Sequence, residues 1–514
     1  MNEIIKIYFW QIISIIFNFA TVFIVTPYLS LNPSLFGIYS IVMAAYIFLS
    51  YADFGFLSAG MKYASESFAR NEREEEMKII GFAGFIFSFF ILLYAITMIC
   101  ISFNPRILVG SLLPGIEYKT AQQLLFILGI FSPTFILQRL LLIIFAVRLE
   151  DYLFQRILII FSSLKIASIF LFFKGDDYNI VGYFLCSQII GVLAVVAGLL
   201  VAKRRLNYDL KFFFKSISFS SEMFKKTKGL AFSSIFLTIC WIGYYELDPF
   251  VIGKIFGASK VSIYAIALTL MTYFRSLFGI LFSPFTAKFN HYIGNGDSEK
   301  LSAVVQQLLI VTIPITLFPV ISVFLTADSF IRSWVGVNYL EAISIAKLLV
   351  LSFIFSFITY PAGILMMASV RIKLIYISNG ILPIIFWLGI FFTYQNWGIY
   401  SFGIFKLIAF TFSAIFLFIN MHKILNLGIC NTIRKVFLPL IMPILTIIGC
   451  YFFLKQFLPY EKGKANLFLC IVLNGLIVLT GTVMYFITST EFRDFLINGK
   501  SLVMLRLGLI KTSK

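Results

Sequence analysis

Eight ionisable side chains stand inside stretches built otherwise from Phe, Ile, Leu and Val. Five are cations, Arg139, Lys165, Arg275, Lys347 and Lys406; three are acids, Asp53, Glu246 and Asp248. A charge in hydrocarbon is costly and is retained where it faces a cavity or a partner. Guanidinium and ammonium groups in such a cavity pair with an anion through charge-assisted hydrogen bonds. An acid there can carry a proton or a cation inward, and Asp53 and Glu246 are the candidates for such ion coupling.

Depth sorts the cations. Lys347 lies close to a helix end and is expected to snorkel to the interface. Arg139 is about two turns from an end, where snorkelling and a cavity role are both open. Lys165 and Lys406 stand about nine residues, roughly 14 Å, from an end, too deep to snorkel, and Arg275 has similar depth. Arg275, Lys406, Lys165 and Arg139 are therefore the expected cationic lining of a cleft. Asp53, about one turn from a helix end, has a helix-end hydrogen bond as its plainer role. Glu246 and Asp248 point to different sides of one helix. Asp248 precedes Pro249, which suggests local backbone capping. Gln11, Ser14, Asn18 and Thr21 form one polar stripe, and Tyr39, Tyr46, Ser50 and Asp53 another. Such stripes line a cleft or join packed helices; the expectation is that they line the cleft. Trp241 and Tyr245, four apart, offer ring faces to a ligand or anchor at the interface.

The elements that must position these groups are transmembrane helices. Hydrophobic residues make up 60% of the 514 and charged residues 12%, against roughly 25% charged in soluble domains. A spanning helix needs about 20 mostly apolar residues. Such runs begin near Tyr8, Phe36, Met77, Ala121, Phe154, Tyr178, Leu230, Val261, Leu301, Ile343, Ile372, Trp397, Val436 and Asn466. The first is read as a retained helix rather than a signal peptide, since no small-residue cleavage site follows it. Of 41 Lys and Arg, 27 fall in alternate connections and the two ends, 9 on the other side and 5 inside spans. The positive-inside rule then puts both termini in the cytoplasm, as an even number of spans requires. This asymmetry accounts for the net charge of +18 without nucleic acid, for which no binding motif is present. The six cysteines show no metal spacing and read as small apolar residues. His291 and His422 are expected in loops, so no metal or other cofactor is implied.

The expected fold is all-α, with about 14 transmembrane helices in two six-helix lobes and a terminal pair. Ile38-Tyr39-Ser40-Ile41 stands over Ile263-Tyr264-Ala265-Ile266 at an offset of 225, and Pro133-Thr134-Phe135-Ile136-Leu137 over Pro361-Ala362-Gly363-Ile364-Leu365 after a shift of three. Six is even, so the copies share one orientation and a pseudo-two-fold along the membrane normal relates them. The offset puts Arg275 where Ser50 stands. The expected organisation is an N-terminal lobe (1–202), a basic cytoplasmic linker (203–228), a second lobe (229–422), helices thirteen and fourteen (433–488) and a basic cytoplasmic tail (489–514).

Leu35-Phe36-Gly37-Ile38-Tyr39, leading on to Ala52-Asp53-Phe54-Gly55-Phe56, and Asp248-Pro249-Phe250-Val251-Ile252-Gly253 with Gly257 and Ile263-Tyr264 carry a resemblance over nearly the whole chain. With the twelve-plus-two layout, the sequence resembles the polysaccharide-transport branch of the multidrug/oligosaccharidyl-lipid/polysaccharide exporter superfamily, and within it the Wzx-type O-antigen and capsule-unit flippases. The resemblance implies a non-enzymatic flippase of the inner membrane, with an undecaprenyl-diphosphate-linked glycan as cargo, membrane lipids as surroundings, and a polysaccharide polymerase and chain-length machinery as possible partners. Rival readings are a drug/cation antiporter or a lipid II flippase of the same superfamily, and a membrane polysaccharide polymerase, which needs a larger outside loop than Phe103 to Thr120. The nearest approach to a phosphate-binding loop, Gly499-Lys500-Ser501, lacks the earlier glycine, Asp494 holding that position.

Overall fold

Helix is the only regular structure among the described residues of the computed structural model, which are 3–174 and 177–497. In hydrocarbon each backbone N–H and C=O must be satisfied within its own segment, and a helix does this. The chain forms two compact units, Met1–Ala265 and Ile266–Lys514. The first holds α1 (Glu3–Leu29), α2 (Pro33–Phe48), α3 (Phe56–Ala69), α4 (Arg73–Phe103), α5 (Ile116–Phe131), α6 (Thr134–Val147), α7 (Asp151–Phe172), α8 (Ile180–Arg205), α9 (Leu210–Ser216), α10 (Ser221–Tyr245) and α11 (Asp248–Phe256). A long helix, α12 (Ala258–Gly294), runs through the boundary. The second unit continues with α13 (Ser298–Val311), α14 (Ile313–Val335), α15 (Leu340–Leu351), α16 (Ser356–Ala368), α17 (Ile372–Trp397), α18 (Tyr400–Leu425), α19 (Ile429–Thr432), α20 (Ile441–Leu454) and α21 (Lys464–Thr488).

Among the described residues, eleven helices are long and apolar enough to span a membrane, and two bent pairs raise this to 13; α1 adds the shorter apolar stretch Ile16–Leu29. Each of the fourteen apolar runs has its helix, and the chain is a multi-span membrane protein. Local chemistry starts several of them. Asn32 caps α2 through Leu35 N at 3.1 Å with Pro33 in its first turn, Asn179 caps α8 through Gly182 N at 2.8 Å, and Ser220 caps α10 through Met223 N at 3.3 Å.

Several spans among the described residues are broken. The second tightens to a 3-10 turn at Leu49–Tyr51 and passes through Phe54 (φ 47°) and Gly55 (φ 84°) before α3. At Gly55 a side chain would be strained by the left-handed backbone and would press on Ser234. The fourth span is α5 and α6, bent by 46° at Ser132-Pro133, and the tenth is the 3-10 turn Val337–Tyr339 with α15, then α16, bent by 46° near Phe353. Fourth and tenth are repeat partners. Pro133 stands at its break, whereas Pro361 lies inside α16, so the local match between these prolines is out of register; the breaks, not the prolines, are equivalent. The offset of 225 is direct in one contact. Ser34 Oγ and Ser259 Oγ, 225 apart, share a hydrogen bond of 2.8 Å, and a Cβ on Gly37 would overlap the Ala258 carbonyl.

The basic end of the first unit is locked by a buried pair. Arg148 grips Glu76 with two nitrogens at 2.6 and 2.9 Å, with 9% and 0% of the side chains exposed. The guanidinium also lies over the rings of Phe68 and Tyr208. Burial pushes the Tyr208 phenol well above its usual range, and Glu76 adds to this, so it stays neutral. In the second unit Asn474 of α21 accepts from Ser322 (2.6 Å) and Thr326 (2.9 Å) of α14, polar glue of the kind that holds membrane helices together. His422 is not in a loop: it is buried in the last turn of α18, Nδ1 2.8 Å from Phe418 O and Nε2 2.8 Å from Thr432 Oγ1. His291 is likewise in α12. Gly499-Lys500-Ser501 and the rest of the tail after 497 lie outside the described residues.

Removing one partner of a buried ion pair costs about 3–5 kcal/mol, whereas an exposed pair is worth at most about 1 kcal/mol. Arg148→Ala is therefore expected to lower the melting temperature of the detergent-purified protein sharply. Arg70→Ala, which breaks the exposed pair with Glu72, is expected to leave it nearly unchanged in the same assay.

Candidate functional site

The break in the second span gathers the polar groups of the first unit. Unwinding frees backbone groups that must find other partners. Asp53 Oδ2 accepts from Leu57 N at 3.3 Å, covering one donor at the start of α3. Ser50 O accepts from Arg139 of α6 at 3.4 Å. Tyr51 Oη donates to Glu246 Oε1 at 3.0 Å, tying the break to the joint between α10 and α11. Asp53 and Arg139 lie within Coulombic reach of each other, with Tyr46 and Tyr51 beside the guanidinium. Asp53 stands between the 3-10 turn that ends at Tyr51 and the start of α3 at Phe56, and its bond to Leu57 N is a helix-end hydrogen bond of the kind expected.

Arg139 is poorly satisfied for a cation with five donors. Its one hydrogen bond is the long one to Ser50, its Nε has no partner among the described residues, and its carbon Cζ lies 5.2 Å from the Phe135 ring centre. Lys165 is half-buried on α7, which packs against α1, α6 and α8. Its ammonium has no hydrogen-bond or ion-pair partner among the described residues. The helix-two stripe turns toward the unit's own helices: the Tyr39 ring meets Phe184 of α8 and the Tyr46 ring meets Phe135 of α6. On α1, Asn18 is exposed, Ser14 and Thr21 are half-buried, and Thr21 bonds Phe17 O; the side chain of Gln11 lies outside the described set. Trp241 is 38% exposed, its ring 4.5 Å from that of Tyr245, which in turn meets Tyr244 edge-on at 4.6 Å.

In the second unit Arg275 is half-buried on α12, and its carbonyl accepts from Tyr360 of α16 at 3.2 Å. The Ser50 carbonyl, its counterpart at an offset of 225, accepts from α6, the counterpart of α16. Lys406 is wholly buried on α18, its ammonium 5.0 Å from the Phe386 ring centre on α17. Lys347 lies half-buried on α15 with its ammonium 5.9 Å from the Phe324 ring centre.

Sequence reasoning missed Tyr51, Tyr264 and Tyr360, the hydroxyl partners of this arrangement. Asp248 does not hold the N-cap of α11, which is Leu247 with no side-chain cap; it is buried and accepts a short hydrogen bond from Tyr264 of α12. One available signal was Asp53-Phe54-Gly55, turn chemistry inside an apolar run, which marks a break where other groups must converge.

No known family description matches the chain, and no curated protein does. Solved structures do. A lipid II flippase, MurJ, in an inward closed conformation superposes with a TM-score of 0.64 at 16% identity, covering 92% of this chain and 99% of its own. A multidrug resistance MATE family transporter of the MOP superfamily in an inward-facing conformation gives 0.61 at 15% identity, covering 83% and 98%. An outward-facing one gives 0.57 at 14%, covering 82% and 95%. At these identities the likeness is one of fold: the chain has the architecture of these transporters over most of its length.

The Tyr51–Glu246 bond is open to a double-mutant cycle. Tyr51→Phe and Glu246→Gln are each expected to destabilise the purified protein by about 1 kcal/mol, the scale of one intramolecular hydrogen bond. The double variant is expected to lose clearly less than the sum. Strict additivity in thermal unfolding would show that the two groups do not interact.

Proposed function

We propose that the chain is a flippase of the multidrug/oligosaccharidyl-lipid/polysaccharide exporter superfamily, moving an undecaprenyl-diphosphate-linked oligosaccharide from the cytoplasmic to the outer leaflet of the inner membrane. The observation that carries the reading is the unused donor capacity of Arg139 and Lys165 at half-buried positions in a membrane fold. Cations that keep unused donors in such a place suit an anionic ligand. The fold likeness to a lipid II flippase supports a lipid-linked cargo. In this reading Arg275 and Lys406 complete the cationic lining, Gln11, Asn18, Ser50 and Trp241 line the glycan path, and Asp53 and Glu246 are the groups available for ion coupling. The termini lie in the cytoplasm, on the basic side. The lipid tail stays in the bilayer while the diphosphate meets the cations. Outward movement of two negative charges gains about 4.6 kcal/mol per 100 mV, at about 2.3 per charge, with the inside negative, so the membrane potential can drive the step.

The test is genetic and chemical. In a strain dependent on this protein, Arg275→Ala with Lys406→Ala is expected to abolish surface polysaccharide, with lipid-linked units accumulating unflipped. Arg139→Gln and Lys165→Gln are each expected to reduce it about tenfold or more, the scale of one lost charge-assisted bond. Membrane abundance of every variant is measured alongside, and Lys406→Met serves as a volume-conserving control. Normal surface polysaccharide in inserted Arg139→Gln/Lys165→Gln protein would refute the cationic site. Resistance to cationic drugs on overexpression, with no effect on lipid-linked glycans, would instead assign the chain to the antiporters.

A further inference from the structure

The connection between α8 and α10 lies outside the proposed cargo site, yet it is the most basic stretch of the chain and is structured. Lys203, Arg204 and Arg205, all exposed, end α8. Asp209 then caps α9 through Phe212 N at 3.0 Å. One side of α9 is fixed to the bundle. Phe213 is 1% exposed, its ring 5.5 Å from that of Tyr208, and Ser216 Oγ donates to Met77 O of α4 at 3.3 Å. Gly81 of α4 admits the backbone of Ser216 where a Cβ would overlap it.

The other side is exposed and mixed in chemistry. Lys211, Phe214 and Lys215, spaced i, i+3 and i+4, share one face, with Phe214 45% exposed. Phe219 follows, 58% exposed although its ring meets Phe82 and Phe85. None of Lys203, Arg204, Arg205, Lys211 and Lys215 forms an ion pair among the described residues.

We propose that this face is a docking surface for anionic phospholipid headgroups of the surrounding bilayer. Five cations supply the charge complement to lipid phosphates, and Phe214 and Phe219 enter the boundary between headgroups and acyl chains. Lysines beside aromatic rings on one face of a short helix, held against the ends of spanning helices, are the pattern of an interfacial element on an anionic membrane. An acidic soluble partner would match the lysines but leave the exposed Phe214 between them without a reason. The surface holds the connection that leads directly into α10, whose first turns are tied to α4 by the Lys226–Glu75 pair at 2.6 Å.

The test uses the full-length protein in detergent with defined lipids added, read by native mass spectrometry. Wild type is expected to retain phosphatidylglycerol or cardiolipin about fivefold over phosphatidylcholine, the preference a basic interfacial cluster gives. Lys211→Gln/Lys215→Gln is expected to lower that retention about threefold or more while melting in phosphatidylcholine nanodiscs stays at the wild-type value; Lys211→Arg/Lys215→Arg is expected to restore it. Phe214→Ser is expected to shorten the dwell of the anionic lipid. Equal retention of both lipid types by wild type, or wild-type retention by the Gln pair, would overturn the proposal. Tighter binding of a polyglutamate peptide than of anionic lipid would overturn it in favour of a protein partner.

Discussion

A backbone amide cannot be left open in hydrocarbon, and the arrangement of this protein follows from how it meets that constraint where its helices break. The second, fourth and tenth spans are interrupted. At the first of these breaks the freed groups are taken up by polar side chains: Asp53 accepts from Leu57 N, Arg139 reaches Ser50 O, and Tyr51 ties the turn to Glu246. The chemistry of the first unit is concentrated there because a break needs polar partners, and polar partners in a membrane are costly unless they meet one another.

Acids and cations are treated differently. Each intramembrane acid of the first unit has a donor in place: Leu57 N for Asp53, Tyr51 for Glu246 and Tyr264 for Asp248. Glu76, at the basic end, is held by Arg148. Arg139 and Lys165 keep donors that no described protein group uses. That imbalance is what the proposed anionic cargo rests on, and net charge alone does not convey it, since the net charge of the whole chain arises largely in the connections.

Internal duplication accounts for much of the geometry. Helices bent by 46° recur at equivalent spans, equivalent carbonyls at Ser50 and Arg275 receive donors from equivalent helices, and Ser34 meets its own counterpart Ser259. The copies have also diverged: α2 breaks before α3, while α12 runs unbroken through 37 residues. The turn Asp53-Phe54-Gly55 is replaced in the second copy by Phe278-Gly279-Ile280, which keeps a helix going.

Span number, the offset of the repeat and the all-α architecture were legible in the sequence, because hydrocarbon demands about 20 apolar residues per crossing and duplication leaves the spacing of those runs intact. The ionisable residues inside the spans were legible for the same reason: a charge stands out where nearly everything else is apolar. What each of them meets was decided only by tertiary structure. The partners Tyr51, Tyr264 and Tyr360 are uncharged and lie 195, 16 and 85 positions from the groups they serve, so neither periodicity nor composition marks them. The register of the fourth and tenth spans was likewise settled by where each helix bends, a property of packing rather than of the proline that happens to stand nearby.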